Sequence, residues 1–109
     1  MAQYIQLITT TARRSEAEQI AHSLIDERLA GCVQIVGPIT SVYRWEGKVE
    51  TSEEWQCVIK SRADLLGRLQ ETLRRLHPYQ VPEMLALPVL DGNADYLRWM
   101  DGELRAGES

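Results

Sequence analysis

The sequence predicts an α+β domain in which two β-α-β units share one four-stranded sheet. Three observations lead there. Two segments carry apolar residues at helical spacing: Ala17, Ile20, Ala21, Leu24, Ile25 and Leu29, then Leu65, Leu66, Leu69, Leu73 and Leu76. Four other segments are rich in β-formers. The two kinds alternate as β-α-β-β-α-β, with one short helix left over. That order is the split βαβ, ferredoxin-like pattern, and right-handed crossovers put both main helices on one face of the sheet.

The first strand is "QYIQLITTT", residues 3–11. Ser15 and Glu18 have the spacing of a capping box, and Gly31 is a natural helix stop, so the first helix is expected over 16–30. Residues 32–62 are β-rich on both sides of "EGK" (46–48), a turn containing Gly47, which predicts a long antiparallel hairpin. "SRAD" (61–64) opens the second helix and Pro78 closes it. "EMLALPVL" (83–90) is the fourth strand, "DGN" a turn, and "ADYLRWMDGEL" (94–104) the terminal helix; "RAGES" at the end is expected to fray. No linker or low-complexity tract interrupts this order, so residues 1–109 are expected to form one domain with one core.

Composition narrows the function classes. The chain carries 12 Lys+Arg against 16 Asp+Glu, a net charge of −4, which disfavours nucleic acid and anionic membranes as partners. Two cysteines make no disulfide framework and favour a reducing compartment. The start "MAQYIQLITTT" shows neither a basic leader nor a cleavage-type site, and no apolar run approaches the ~18 residues of a membrane span. A cytoplasmic protein is expected. A Gly-rich phosphate loop, a nucleophile elbow and an HExxH motif are all missing, so an enzyme is not expected.

The sheet presents a problem. Strand four has apolar residues in both phases, Met84 and Ala86 in one and Leu85, Leu87 and Val89 in the other; Cys32 and Val36 alternate with Val33 and Ile35 in the same way. A sheet apolar on both faces needs cover on both, and one short helix is too little. Other copies of the chain are the expected cover. The hairpin points the same way. Fourteen residues span about 46 Å, more than the ~34 Å width of a globule of this length. The hairpin must bend, with Gly37-Pro38 the expected place, or project. Val42, Tyr43, Trp45, Val49 and Trp55 are assigned to its distal part, and aromatic residues on a projecting arm suit a partner's surface.

The stretches "GCVQIV" (31–36), "SVYRWEGKVE" (41–50), "IKSR" (59–62), "HPYQVPE" (77–83), "LALPV" (85–89) and "GNADYLRWM" (92–100) cover nearly the whole chain in order. In them the chain resembles the CutA divalent-cation tolerance family. Gly31 stands where that pattern usually has alanine, and Gln80 where it has glutamate. The resemblance implies a ferredoxin-like fold like that of the PII signalling proteins, a homotrimer, and a cytoplasmic or organellar role linked to metal ions, notably copper.

The candidate site residues follow. A thiolate and an imidazole are the ligands expected for copper, zinc or another divalent metal ion, and the resemblance makes Cys32 and His77 the metal ligands to consider. No local motif links them, so they can meet only through the fold or across a subunit boundary. The plain alternatives are a small buried side chain and a helix cap. Cys57 alternates with Trp55 and Ile59 and is assigned to the core. In "HPYQVPE", Pro78 and Pro82 restrict the backbone and hold Tyr79 and Glu83 in place. With Lys60, to which Glu83 can pair, they form a candidate pocket between subunits; a structural turn is the alternative. Tyr43 and Trp45 are assigned to the trimer interface, and Tyr96 and Trp99 to packing. His22, four residues from both Glu18 and Asp26, reads as a solvated helix face. Two functions are therefore expected: a trimeric, copper-binding metal-tolerance protein, or a PII-like scaffold binding a small molecule or protein partner at clefts between subunits.

Overall fold

A computed structural model describes residues 3–107. The elements run β1 (Tyr4–Thr11), α1 (Arg14–Asp26), β2 (Cys32–Trp45), β3 (Lys48–Arg62), a 3-10 turn (Ala63–Leu65), α2 (Leu66–Leu76), β4 (Leu85–Val89) and α3 (Ala94–Glu103). The sheet order is β2-β3-β1-β4 and every neighbouring pair is antiparallel. This is the ferredoxin-like fold. The period-2 and period-3.6 patterns meet in one core: Ile5 and Leu7 of β1 and Cys57 and Ile59 of β3 face Ala17, Ile20 and Leu24 of α1 and Leu69 and Leu73 of α2.

Helix α1 lies earlier than its sequence signals suggest. The Glu16 carboxylate accepts from the Arg13 N–H at 3.2 Å, so the capping contact forms two residues before the Ser15/Glu18 pair. Glu18 instead pairs with Arg14 at 3.3 Å. At the other end Arg28 adopts φ 56°, with Arg28 N–H bonded to Ile25 O and Leu29 N–H to Leu24 O. That is a Schellman stop with an arginine in the left-handed position usually held by glycine. Gly31 therefore does not end the helix. It lies under α3, where an added Cβ would sit 2.5 Å from the Met100 Cγ. Nor does the chain fray at once after α3: Arg105 N–H bonds to Arg28 O at 2.9 Å, and Arg62 donates to Arg105 O at 2.7 Å. Glu108 and Ser109 lie outside the described residues.

The β2-β3 hairpin projects, and the chain extends 44 Å along its long axis against 25 Å across. Its tip is a two-residue turn with both residues at positive φ, Glu46 at 50° and Gly47 at 78°, the primed geometry that matches strand twist. Gly37-Pro38 does more than bend the strand. Val36 pairs with Gln56 and Ile39 with Glu54, so β2 gains one residue on β3. Such a bulge reverses the phase of everything beyond it. Cys32, Gln34 and Val36 lie on the helix-free face before the bulge, and Ile39, Ser41, Tyr43 and Trp45 lie on it afterwards. Trp55 is not at the tip. It sits at the foot of the arm, opposite Thr11 and against Gly37, with the Arg14 guanidinium 5.2 Å from its ring centroid.

The helix-free face is apolar, as its two-phase pattern predicts. Leu85 is 59% exposed, Leu87 46% and Val36 45%. Helix α3 covers only the end of the sheet, where Tyr4 Oη donates to Asp101 at 2.6 Å and Met100 enters the core.

Cys57 is a core residue. Its thiol donates to Ala17 O at 3.7 Å, and burial pushes its pKa up to about 11. Iodoacetamide at near-neutral pH is expected to leave Cys57 unmodified until the protein is unfolded, because the thiolate is the nucleophile. Mass spectrometry of labelled peptides checks this; rapid native labelling of Cys57 would place it outside the core.

Candidate functional site: a cavity between the arm and the His77–Glu83 loop

The loop after α2 is built around His77. Its N–H bonds to Leu73 O at 2.8 Å and closes the helix. Its ring is held from both sides: Nδ1 accepts from the Tyr79 N–H at 3.1 Å, so Nε2 carries the proton and donates to Thr10 O at 2.8 Å. The ring is buried and fully engaged, which is the work of a structural residue. It fixes Tyr79, whose ring lies 4.8 Å from the imidazole centroid.

Tyr79 reaches the arm. Its hydroxyl donates to Glu54 Oε2 at 2.7 Å. Burial, followed by the Glu54 hydrogen bond and charge, raises the Tyr79 pKa well above the ordinary phenol value and keeps it a donor. Glu83 stands at the mouth of the same space. Although the residue is exposed overall, partial burial of its carboxyl and the nearby Glu54 charge raise its pKa. Between arm and loop lies a cavity of about 550 Å³, lined by Tyr43, Trp45, Glu54, Tyr79, Val81 and Glu83 among others. The two residues assigned from sequence to an interface, Tyr43 and Trp45, thus share one site with the two assigned to a pocket, Tyr79 and Glu83.

Lys60 is not part of it. It lies six residues along β3 from Glu54, about 20 Å at the usual strand rise, with its Nζ 5.9 Å from the Tyr96 ring centroid. Lys60 and Glu83 do not pair within the chain, and the charged neighbour of Glu83 is Glu54. Cys32 and His77 are not brought together within the chain either. Cys32 is level with Lys60 and Gln6, whereas His77 binds the carbonyl of Thr10. Four residues of β1, about 13 Å, separate those levels. Cys32 instead neighbours Tyr96: burial, then the charge and hydrogen bonding of Cys32, raise the Tyr96 pKa. Among the described residues no group of three or more His, Cys, Asp or Glu side chains is placed to hold a metal ion. Within one chain the described residues thus assemble no three-ligand metal centre.

Glu54 is the residue that sequence reasoning missed. It hides in "TSEEW", which reads as a solvated strand, yet it is only 8% exposed. Its phase with Gln56 and Val58 and its register from the Glu46-Gly47 turn carried the available signal.

The profile of the CutA1 divalent ion tolerance protein family matches residues 5–103. The chain is 42% identical over 94 residues to the divalent-cation tolerance protein CutA of Thermus thermophilus, covering 86% of this chain and 91% of that protein. It is 44% identical over 101 residues to protein CutA 1, chloroplastic, of Oryza sativa, covering 93% of this chain and 57% of that protein. The crystal structure of CutA1 from Oryza sativa superimposes with a TM-score of 0.92 at 42% identity, covering 95% of each chain.

Proposed function

The chain belongs to the CutA1 divalent ion tolerance family, and from that premise we propose that it works as a homotrimer contributing to tolerance of divalent metal ions, copper among them. The observation that carries this reading is the match of the family profile across residues 5–103. Trimer formation is supported by the apolar helix-free face and the projecting arm. Copper binding on this reading is shared between copies. Cys32, half-buried on the helix-free face, supplies the thiolate, and His77 would first have to give up its bond to Thr10 O or to the Tyr79 N–H. Two unpaired cysteines support the cytoplasm as its compartment. The proposal assigns no catalysis to the chain.

The test is complementation. A strain whose own family member is deleted is expected to grow poorly in raised copper, and this chain is expected to restore growth. A deletion strain that this chain leaves as copper-sensitive as before would overturn the reading. The cavity between arm and loop favours a second role, that of a PII-like scaffold whose clefts take a small molecule or a protein partner.

A further inference from the structure

The chain contains two Asp-Gly pairs, Asp91-Gly92 and Asp101-Gly102, and the fold treats them in opposite ways. Asp101-Gly102 lies inside α3, where a backbone N–H is committed to the carbonyl four residues back. The Asp101 carboxylate is held as well: it accepts from Tyr4 Oη at 2.6 Å and from Arg62 Nη1 at 3.4 Å. Asp91-Gly92 lies in the segment 90–93 between β4 and α3, which is neither helix nor strand and is exposed throughout. It follows Val89, the last residue of β4 to pair, opposite Tyr4. Here the Gly92 N–H donates to Asp91 Oδ1 at 2.8 Å, so the backbone nitrogen already stands against the carboxyl group of the preceding residue. Glycine puts no side chain in the way.

We propose that Asp91-Gly92 is a modification site, at which the backbone rearranges spontaneously to isoaspartate. The Gly92 nitrogen bonds to Cγ of the protonated Asp91 carboxyl. The proton of the nitrogen and the hydroxyl of the carboxyl leave together as water, and a succinimide ring closes. Water then reopens the ring at either carbonyl. Attack at Cγ restores aspartate. Attack at the Asp91 backbone carbonyl leaves the main chain running through Cβ and Cγ, with the former backbone carbonyl now a free carboxylate. One water leaves and one returns, so the mass is unchanged and nothing is oxidised or reduced. Ring closure takes place within the chain and needs local backbone freedom rather than an open pocket; neither metal nor ligand enters it. The product lengthens the main chain by one methylene just ahead of Asn93, whose side chain caps α3 by accepting from the Asp95 N–H at 2.8 Å. The modification therefore falls at the entry to that helix.

The test is ageing of the full-length protein for weeks in near-neutral buffer made with heavy-oxygen water, then tryptic digestion in ordinary water. Cleavage after Arg75, Arg98 and Arg105 puts the two pairs on separate peptides, 76–98 and 99–105. Peptide 76–98 is expected to gain one heavy oxygen and to give a second chromatographic peak. Peptide 99–105 should do so about tenfold more slowly or not at all, because the helix must open before its ring can close. An isoaspartyl carboxyl methyltransferase supplied with labelled methyl donor should label peptide 76–98 and leave 99–105 unlabelled. In Gly92→Ala the added Cβ would meet the Leu97 side chain at an ordinary 3.5 Å, so the fold should hold while the oxygen gain and the methyl labelling both fall. An unaltered peptide 76–98 after ageing would overturn the proposal. Heavy oxygen without methyl labelling would overturn it too, since the ring would then reopen only to aspartate. Equal rates in the two peptides, or in Gly92→Ala and wild type, would also count against it.

Discussion

Replacing Leu7 by alanine is expected to cost about 2–5 kcal/mol, the range for a large aliphatic side chain removed from a packed core. Leu7 is fully buried in β1, a strand bonded on both sides, where it pairs with Ile59 and Ala86. The surroundings cannot collapse onto the gap without moving the sheet or both helices. The thermal midpoint should fall on the order of 10–20 °C, measured on wild type and variant at equal protein concentration, because assembly makes the midpoint concentration-dependent. A shift of a degree or two would show that the core is loose at its centre.

The double substitution Leu85→Asp and Leu87→Asp tests the other face of the same sheet. Both side chains point away from the core, 59% and 46% exposed. On a chain that stays single, two such changes should each alter stability by about 0.5 kcal/mol or less. On a face covered by other copies the result is different. Burying the half of each leucine that is still exposed brings roughly 1 kcal/mol apiece, and each aspartate would place an unpaired charge in an apolar interface. The variant is expected to sediment as single chains of 12.4 kDa while keeping its helix and strand content. An assembled variant with wild-type mass would remove this face from the interface.

The fold was legible because its signals are local. Leucine spacing marked α2, a run of β-formers marked β1, and "EGK" marked the hairpin tip. The errors also have local causes. Arg28 takes a left-handed conformation that is ordinarily a glycine's, so α1 ends five residues before Gly31. One extra residue at Gly37-Pro38 turns Tyr43 and Trp45 onto the helix-free face, and a bend can be read from a Gly-Pro pair without revealing that phase change.

The candidate site was legible in its parts and not in its assembly. Tyr79, Glu83, Tyr43 and Trp45 were all singled out by type and position. What joins them is Glu54, and its meeting with Tyr79 spans 25 residues of sequence. That contact depends on where the Thr10 carbonyl holds the His77 ring, a packing detail with no periodic signature. Lys60 illustrates the converse. It shares a strand and a face with Glu54, and only strand length separates it from Glu83. His77 was chosen for its imidazole, and both of its nitrogens turn out to serve the loop.

We propose that the exposed apolar face and the arm meet other copies of this chain. Native mass spectrometry of the full-length protein at micromolar concentration tests it most directly. A dominant species of three chains, each of 12.4 kDa, is expected, whereas a dominant single chain under those conditions would rule the trimer out.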